Sequence, residues 1–175
     1  MTKSKKNAII LGLFIFSSLF VSLFLTIIAF QDIPKYNSPY IFTATVSIIG
    51  IFLGYLVLKK VKPIILRFSL KKNDDGTMSA LVLMITTGII FFAFNELNIS
   101  LSQKTKCDSF YITNKYREES GFRKPEINTL VVDLINKKET VVSKHEFWLS
   151  KEIGDRINLC FYESFFGFNY IEINE

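Results

Sequence analysis

Histidine is almost missing from this chain of 175 residues: His145 is the single one. That excludes His-rich metal sites and mechanisms that need two imidazoles. Cysteine occurs twice, at Cys107 and Cys160. No glycine loop has a phosphate-cradling spacing, and no nucleophile elbow surrounds any serine. Internal repeats, Pro- or Ser-rich linkers and low-complexity tracts are absent as well. A lone His145 beside Glu146 reads as a solvated surface residue, and Asp155, following Gly154, reads as a side chain that bonds backbone amides at a turn. No catalytic residue, metal ligand, cofactor or small-molecule substrate is therefore assigned, and the chain is not expected to be an enzyme.

A further absence is more informative. Three long runs carry no charge at all: Ala8 to Phe30 (23 residues), Tyr40 to Leu58 (19) and Thr77 to Asn95 (19). At about 1.5 Å of helical rise per residue, each is long enough for a hydrocarbon core of roughly 30 Å. Burying an ionisable group there costs about 2.5 to 3.5 kcal/mol on insertion scales and marks a transport path when it occurs. None occurs, so three transmembrane helices are expected and a transporter is not. Glu96, at the end of the third run, reads as an interface anchor. The basic start, Lys3, Lys5 and Lys6, resembles that of a signal peptide. The apolar stretch after it is too long, and "IIAFQD" offers no small-x-small cleavage site, so a retained anchor is expected.

Charge placement orients these helices. The N-terminus carries three basic residues and the segment 59–76 carries six (Lys59, Lys60, Lys62, Arg67, Lys71, Lys72), whereas the loop 31–39 has only Lys35. The positive-inside rule then places the N-terminus and the basic loop in the cytoplasm and everything after Asn98 outside. The formal net charge of +5 follows from this topology and is no invitation to nucleic acid: the cytoplasmic segments hold nine basic residues against two acidic ones, and residues 98–175 hold eleven against twelve. In "KKVKPIILRFSLKK", Ile64, Ile65, Leu66, Phe68 and Leu70 could lie in the interface while the lysines reach anionic headgroups, although positive-inside bias accounts for the segment without that.

The expected architecture is therefore a three-helix transmembrane domain (1–98; spans about 8–30, 40–58 and 77–97, with a cytoplasmic basic loop 59–76) and a small all-β or β-rich external domain (99–175), a sandwich or a partly open barrel. "DIPKYNSP" reads as a tight external hairpin with Tyr36 and Tyr40 at the membrane interface, and "NDDGT" as the turn or cap opening the third helix. Cys107 to Thr113 is a plausible first strand, followed by a polar loop through "REESGFRKPE". Thr129 to Ile135 and Thr140 to Val142, flanking "NKKE", read as a hairpin. Ser143 and Glu146 have capping-box spacing for a short helix that lays Phe147, Trp148 and Leu149 on a sheet. The final stretch, "INLCFYESFFGFNYIEI", is divided by Glu163 and Gly167 and cannot span. It reads as two strands, one in which Ile157, Leu159 and Phe161 alternate with Asn158, Cys160 and Tyr162 and one in which Phe168, Tyr170 and Glu172 alternate with Asn169, Ile171 and Ile173, joined by a turn carrying Phe165 and Phe166.

Three constellations remain. Cys107 and Cys160 both fall in the external domain, where an oxidising compartment would let them form a disulfide. Thr43, Ser47, Gly50 and Gly54 form a small-residue face on the second helix, and Ser18, Ser22 and Thr26 a similar stripe on the first. Such faces either pack helices within one chain or join two copies. The aromatics Trp148, Phe165, Phe166, Phe168 and Tyr170 are residue types enriched at interfaces and are candidate contacts for a partner or for lipid. Two functions follow as expectations. The first is a non-enzymatic binding protein that presents its β domain at the outer face of the cytoplasmic (inner) membrane to a membrane or periplasmic protein, with an immunity-type protein or an envelope-complex subunit as concrete versions. The second is a homo-oligomeric assembly, a small pore or a transporter accessory subunit, associating through the helix-two face.

Overall fold

The computed structural model describes residues 3–68, 76–118, 126–134 and 137–174. The chain divides into two compact units, one of Met1–Asp32 with Tyr40–Leu97 and one of Ile33–Pro39 with Asn98–Glu175.

Each uncharged run becomes a helix: α1 (Lys3–Asp32), α2 (Pro39–Phe68) and α3 (Thr77–Ser100). All three are long and apolar enough to cross a membrane by length and composition. α2 exceeds its expected span. The basic segment from Lys59 to Phe68 continues the helix for about 15 Å instead of looping. Leucine, lysine and arginine are good helix formers, and Ile65 is buried here, lining a small crevice with Leu58, Leu66 and Met78. Residues 69–75, the rest of the expected loop and most of "NDDGT", lie outside the described residues, but Gly76 accepts from Ala80 N (2.9 Å) at the start of α3.

Small side chains set the packing inside the helical unit. A Cβ placed on Gly50 would lie 2.9 Å from Thr87 Cγ2, and one on Gly54 2.8 Å from Thr86 Oγ1, so the backbone of α2 approaches α3 as only glycine allows. Gly88 plays the same part toward α1, where a Cβ would collide with Ser22 Oγ and reach Thr26 Oγ1 at 2.5 Å. Ser22 Oγ donates to Ile85 O (2.9 Å), turning that close approach into an interhelical hydrogen bond. Toward the far end of the bundle the filler is aromatic: Phe91 stacks on Phe30 (5.2 Å) and meets Phe42 edge-on (5.8 Å). Asn95 is fully buried and donates to Asp32 Oδ2 (3.0 Å).

The second unit is one antiparallel sheet of β1 (Gln103–Glu118), β2 (Ile127–Leu134), β3 (Lys137–Ser143), β4 (Arg156–Glu163) and β5 (Tyr170–Ile173), in the order β3-β2-β1-β4-β5. Its centre is β1, far longer than the expected Cys107 to Thr113. The first half of β1 pairs with β4 (Phe110 opposite Ile157) and the second half with β2 (Ile112 opposite Val132). Two register shifts, between Lys104 and Lys106 and between Ile112 and Asn114, bend it. Bulges add twist. The sheet accordingly curls into a half-barrel whose edge strands β3 and β5 approach each other, and a 3-10 turn, Ile33–Lys35, lies against both. Of the two expected architectures this excludes the sandwich, because one sheet closes on its own core. Ile112, Leu130, Val132, Val141, Ile157, Leu159 and Ile171 form that core at alternating strand positions.

The short helix α4 (His145–Ser150) brings Phe147 and Trp148 onto the core. The expected capping box does not form. Ser143 stays in β3, paired with Asn128, so the cap position falls to Lys144, whose side chain makes no capping bond. The loop 31–39 also departs from expectation: it is not a free hairpin. Asn37 N donates to Asn169 O (3.0 Å), Tyr36 bridges to Tyr170, and Lys35 pairs with Glu172 (2.9 Å). Tyr36 is buried rather than interfacial, while Tyr40 is 88% exposed. Residues 119–125 of the polar loop and Ile135 and Asn136 of the hairpin turn lie outside the described residues.

Candidate functional site

An open concavity of the β unit follows from the way β1 divides its partners. β2 ends at Leu134 and pairs with β1 only from Ile112 onward. The first half of β1 therefore has β4 on one side and, among the described residues, no strand on the other. A groove of about 810 Å³ opens there, with Phe110, Phe161 and Leu134 as its apolar lining and Lys106, Asp108 and Asp133 as its charged one. Directly paired residues share a face, so Lys106, Asp108 and Phe110, opposite Phe161, Leu159 and Ile157, continue the face that carries the core. Phe110 and Phe161 meet edge-on at 5.9 Å, the Lys106 ammonium sits 5.2 Å over Phe161, and it pairs with Asp108 at 3.0 Å.

Backbone chemistry completes this edge. Cys107 and Cys160 are bonded to each other across β1 and β4, with Cα atoms 4.1 Å apart. That spacing belongs to the closely spaced type of antiparallel pair, whose N–H and C=O groups point away from each other. The peptide groups of Cys107, and by alternation those of Ser109, thus face the unpaired side of β1. Ser109 Oγ meanwhile donates across to Asn158 Oδ1 (2.5 Å), which steadies the strand from the β4 side.

The aromatic candidates separate once placed. Trp148 is half-buried: Nε1 donates to Thr129 O (3.3 Å), and the Lys115 ammonium lies 4.1 Å over its ring while donating to Trp148 O (2.7 Å) and to Lys151 O. It closes the core and is not a free contact. Tyr170 is a clear correction, being 4% exposed, stacked on Tyr162 (4.7 Å) and met edge-on by Tyr36 (6.0 Å). The hydroxyl is held neutral above its ordinary range, chiefly by burial and also by the nearby Glu172 carboxylate. Strand β5 begins at Tyr170, so Phe168 belongs to the preceding turn and is half-buried. Phe165 (80% exposed) and Phe166 (37%) are the two that face out.

The glycine part of the small-residue face of α2 is occupied within the chain. Gly50 and Gly54 lie against α3, and Ser47 lines an open crevice of about 570 Å³ with Ser22, Thr26 and Thr87. His145 is more engaged than expected: Nδ1 lies 2.6 Å from Glu126 Oε1, which also pairs with Arg117 Nε (3.2 Å). Glu126 is held below the usual carboxylate range, first by the Asn128 side-chain amide and then by His145. Asp155 Oδ2 accepts from Glu152 N (2.8 Å), as its turn position implied. No group of three or more His, Cys, Asp or Glu side chains converges on a metal-binding geometry among the described residues.

Sequence reasoning missed Lys115, Asn95 and Asn98. The available signal was the pair of asparagines three apart at the end of an apolar run, both of them fully buried. No protein-family model, curated protein or solved structure matches the chain, so the functional reading rests on these residues alone.

Proposed function

We propose that this protein is a membrane-anchored, non-enzymatic binding module that receives an extended segment of a partner polypeptide along the unpaired half of β1. α1, α2 and α3 cross the cytoplasmic membrane, with the basic N-terminus and basic α2 extension inside and the β unit on the outer face. Support for the membrane comes from the outward side chains of the helices. Phe14, Phe16, Phe20, Phe24, Ile48 and Phe52 are each more than half exposed, a surface suited to lipid. Support for the orientation comes from the basic excess at the N-terminus and on α2 and from the Cys107–Cys160 bond, which persists in an oxidising compartment.

The single observation that carries the binding function is the β1 edge. Peptide groups face an apolar groove flanked by both signs of charge, which is the geometry of strand addition, where main-chain hydrogen bonds give affinity and side-chain pockets give register. The partner is a membrane or periplasmic protein, with immunity-type and envelope-complex roles as the concrete versions. The homo-oligomeric alternative draws no support from Gly50 and Gly54, the centre of the Thr43, Ser47, Gly50 and Gly54 face, because α3 of the same chain packs against both glycines.

Site-specific photo-crosslinking tests this reading. A benzophenone side chain at Phe110 or Phe161 should give a discrete protein adduct in intact cells, and one at Ile153, exposed on the α4–β4 turn, should not. Ser109→Pro should abolish the adduct while leaving the disulfide and the fold in place, since the lost N–H points away from β4. Equal adducts at all three positions, or none across several growth conditions, would refute the assignment.

A further inference from the structure

The turn between β4 and β5 carries the most exposed aromatic side chain among the described residues of the β unit, on an unusually well-tied backbone. Ser164 N donates to Asn169 Oδ1 (3.0 Å), Gly167 N to Ser164 O (3.0 Å) and Phe166 N to Ser164 Oγ (3.2 Å). Gly167 supplies the positive φ (+79°) that closes the loop. Phe165 and Phe166 meet edge-on at 5.5 Å, and the six residues Ser164 to Asn169 include no charge. A chain gains nothing in water by holding Phe165 80% exposed on so firm a turn.

Two tethers say what covers it. Asn98, fully buried in the last turns of α3, donates to Phe168 O (3.0 Å) and accepts from Ser164 Oγ. Asn98 is three residues beyond Asn95, where the uncharged run ends, a rise of about 4.5 Å. The headgroup region is roughly 5 to 7 Å deep on each side of the hydrocarbon, so this places the base of the turn at interfacial depth. The second tether is Asn37, bonded to Asn169, in the short connection between α1 and α2. Three alternating passes bring that connection and the end of α3 to the same side.

We infer that the Phe165–Phe166 turn is a lipid-contacting tip that seats its rings in the interface of the outer leaflet. The inference rests on the membrane reading proposed above. Phenylalanine, with no polar atom to satisfy, suits the boundary between headgroups and acyl chains, as on the apolar faces of interfacial segments. The tip then adds a lipid attachment to the chain connections between the β unit and the helices, at 32/33, 39/40 and 97/98.

Depth-dependent quenching decides it. Both native cysteines are bonded, so Phe165→Cys or Phe166→Cys in the full-length protein gives one thiol for a fluorescent NBD label without reductant. The labelled protein is placed in vesicles of phosphatidylcholine and phosphatidylglycerol whose lipids carry a nitroxide near the headgroup or deep in the chain. Phe20→Cys on α1 serves as the mid-span reference. Labels at 165 and 166 should be quenched at least twofold more by shallow than by deep nitroxide, with the order reversed at 20. A label at 165 quenched by aqueous iodide and not by lipid would overturn the inference, and so would one shielded from both, which would mean that protein covers the turn. If the label at 20 also escapes lipid quenching, the membrane reading itself fails and takes the inference with it.

Discussion

Reducing the Cys107–Cys160 bond should destabilise the β unit by about 4 kcal/mol. The two residues are 53 apart in sequence. The chain-entropy account assigns a loop of that length about 14 cal/mol/K, hence about 4 kcal/mol at 25 °C, within the roughly 2 to 5 kcal/mol lost when native disulfides are removed from small domains. A unit of this size has a total stability of roughly 4 to 13 kcal/mol, so the bond is a large part of it. Comparing oxidised with reduced protein isolates the cross-link, since no side-chain volume changes and β1 remains paired with β4 on both sides of the bond. Trp148, the one tryptophan, packs on the core of this unit and reports its unfolding separately from the helices. With a urea dependence of about 1 to 2 kcal/mol/M, the fluorescence midpoint should fall by about 2 to 4 M on reduction. Coincident midpoints would refute the loop-closure reasoning, and two free thiols in protein isolated from cells under non-reducing conditions would remove the bond itself.

Gly88→Val should destabilise the helical unit by about 1 to 3 kcal/mol, because the new side chain must displace Ser22 and Thr26 of α1. Thermal unfolding in detergent should drop while light scattering shows an unchanged oligomeric mass; a changed mass with unchanged stability would mean that the glycine faces another chain. Acidification should weaken the β unit through Glu126: the Asn128 side chain and then His145 hold its folded-state pKa below that of the unfolded chain, so its contribution is present above the unfolded value and is lost as pH falls through the lower, folded one. Glu126→Gln should flatten this part of the pH–stability curve, and an unchanged acid limb would show that the Asn128 and His145 contacts add nothing.

Much of the architecture was legible because it depends on composition and period. Uncharged runs of about 20 residues specify helices without reference to anything else in the chain. Strict alternation in "INLCF" grouped Ile157 and Leu159 on one face of a strand, which the structure buries, and the β-branched runs around "NKKE" marked β2 and β3. Local signals failed where a tertiary contact outbid them. Ser143 and Glu146 have capping-box spacing, yet strand pairing with Asn128 keeps Ser143 extended. The lysines after Leu58 looked like the start of a loop, yet burial of Ile65 carries α2 on to Phe68. Tyr170 looked like an interface aromatic, and only the return of the loop 33–39 to β5 explains its burial under Tyr36.

The candidate site shows the same limit more sharply. Lys106, Asp108 and Phe110 carry no motif, and nothing in their spacing marks an unpaired edge. The edge exists because β1 is 16 residues long while β2, the next strand in the chain, reaches only its second half, a mismatch of pairing lengths that no local residue pattern announces. By itself the sequence determined what each segment must avoid: charge inside the three apolar runs, water along the alternating strands, a span through Glu163. Only the tertiary structure decided which groups meet, because the bond between Cys107 and Cys160, the glycine contacts of α2 with α3 and the hold of Asn98 on the Phe165–Phe166 turn join residues that local preference cannot relate.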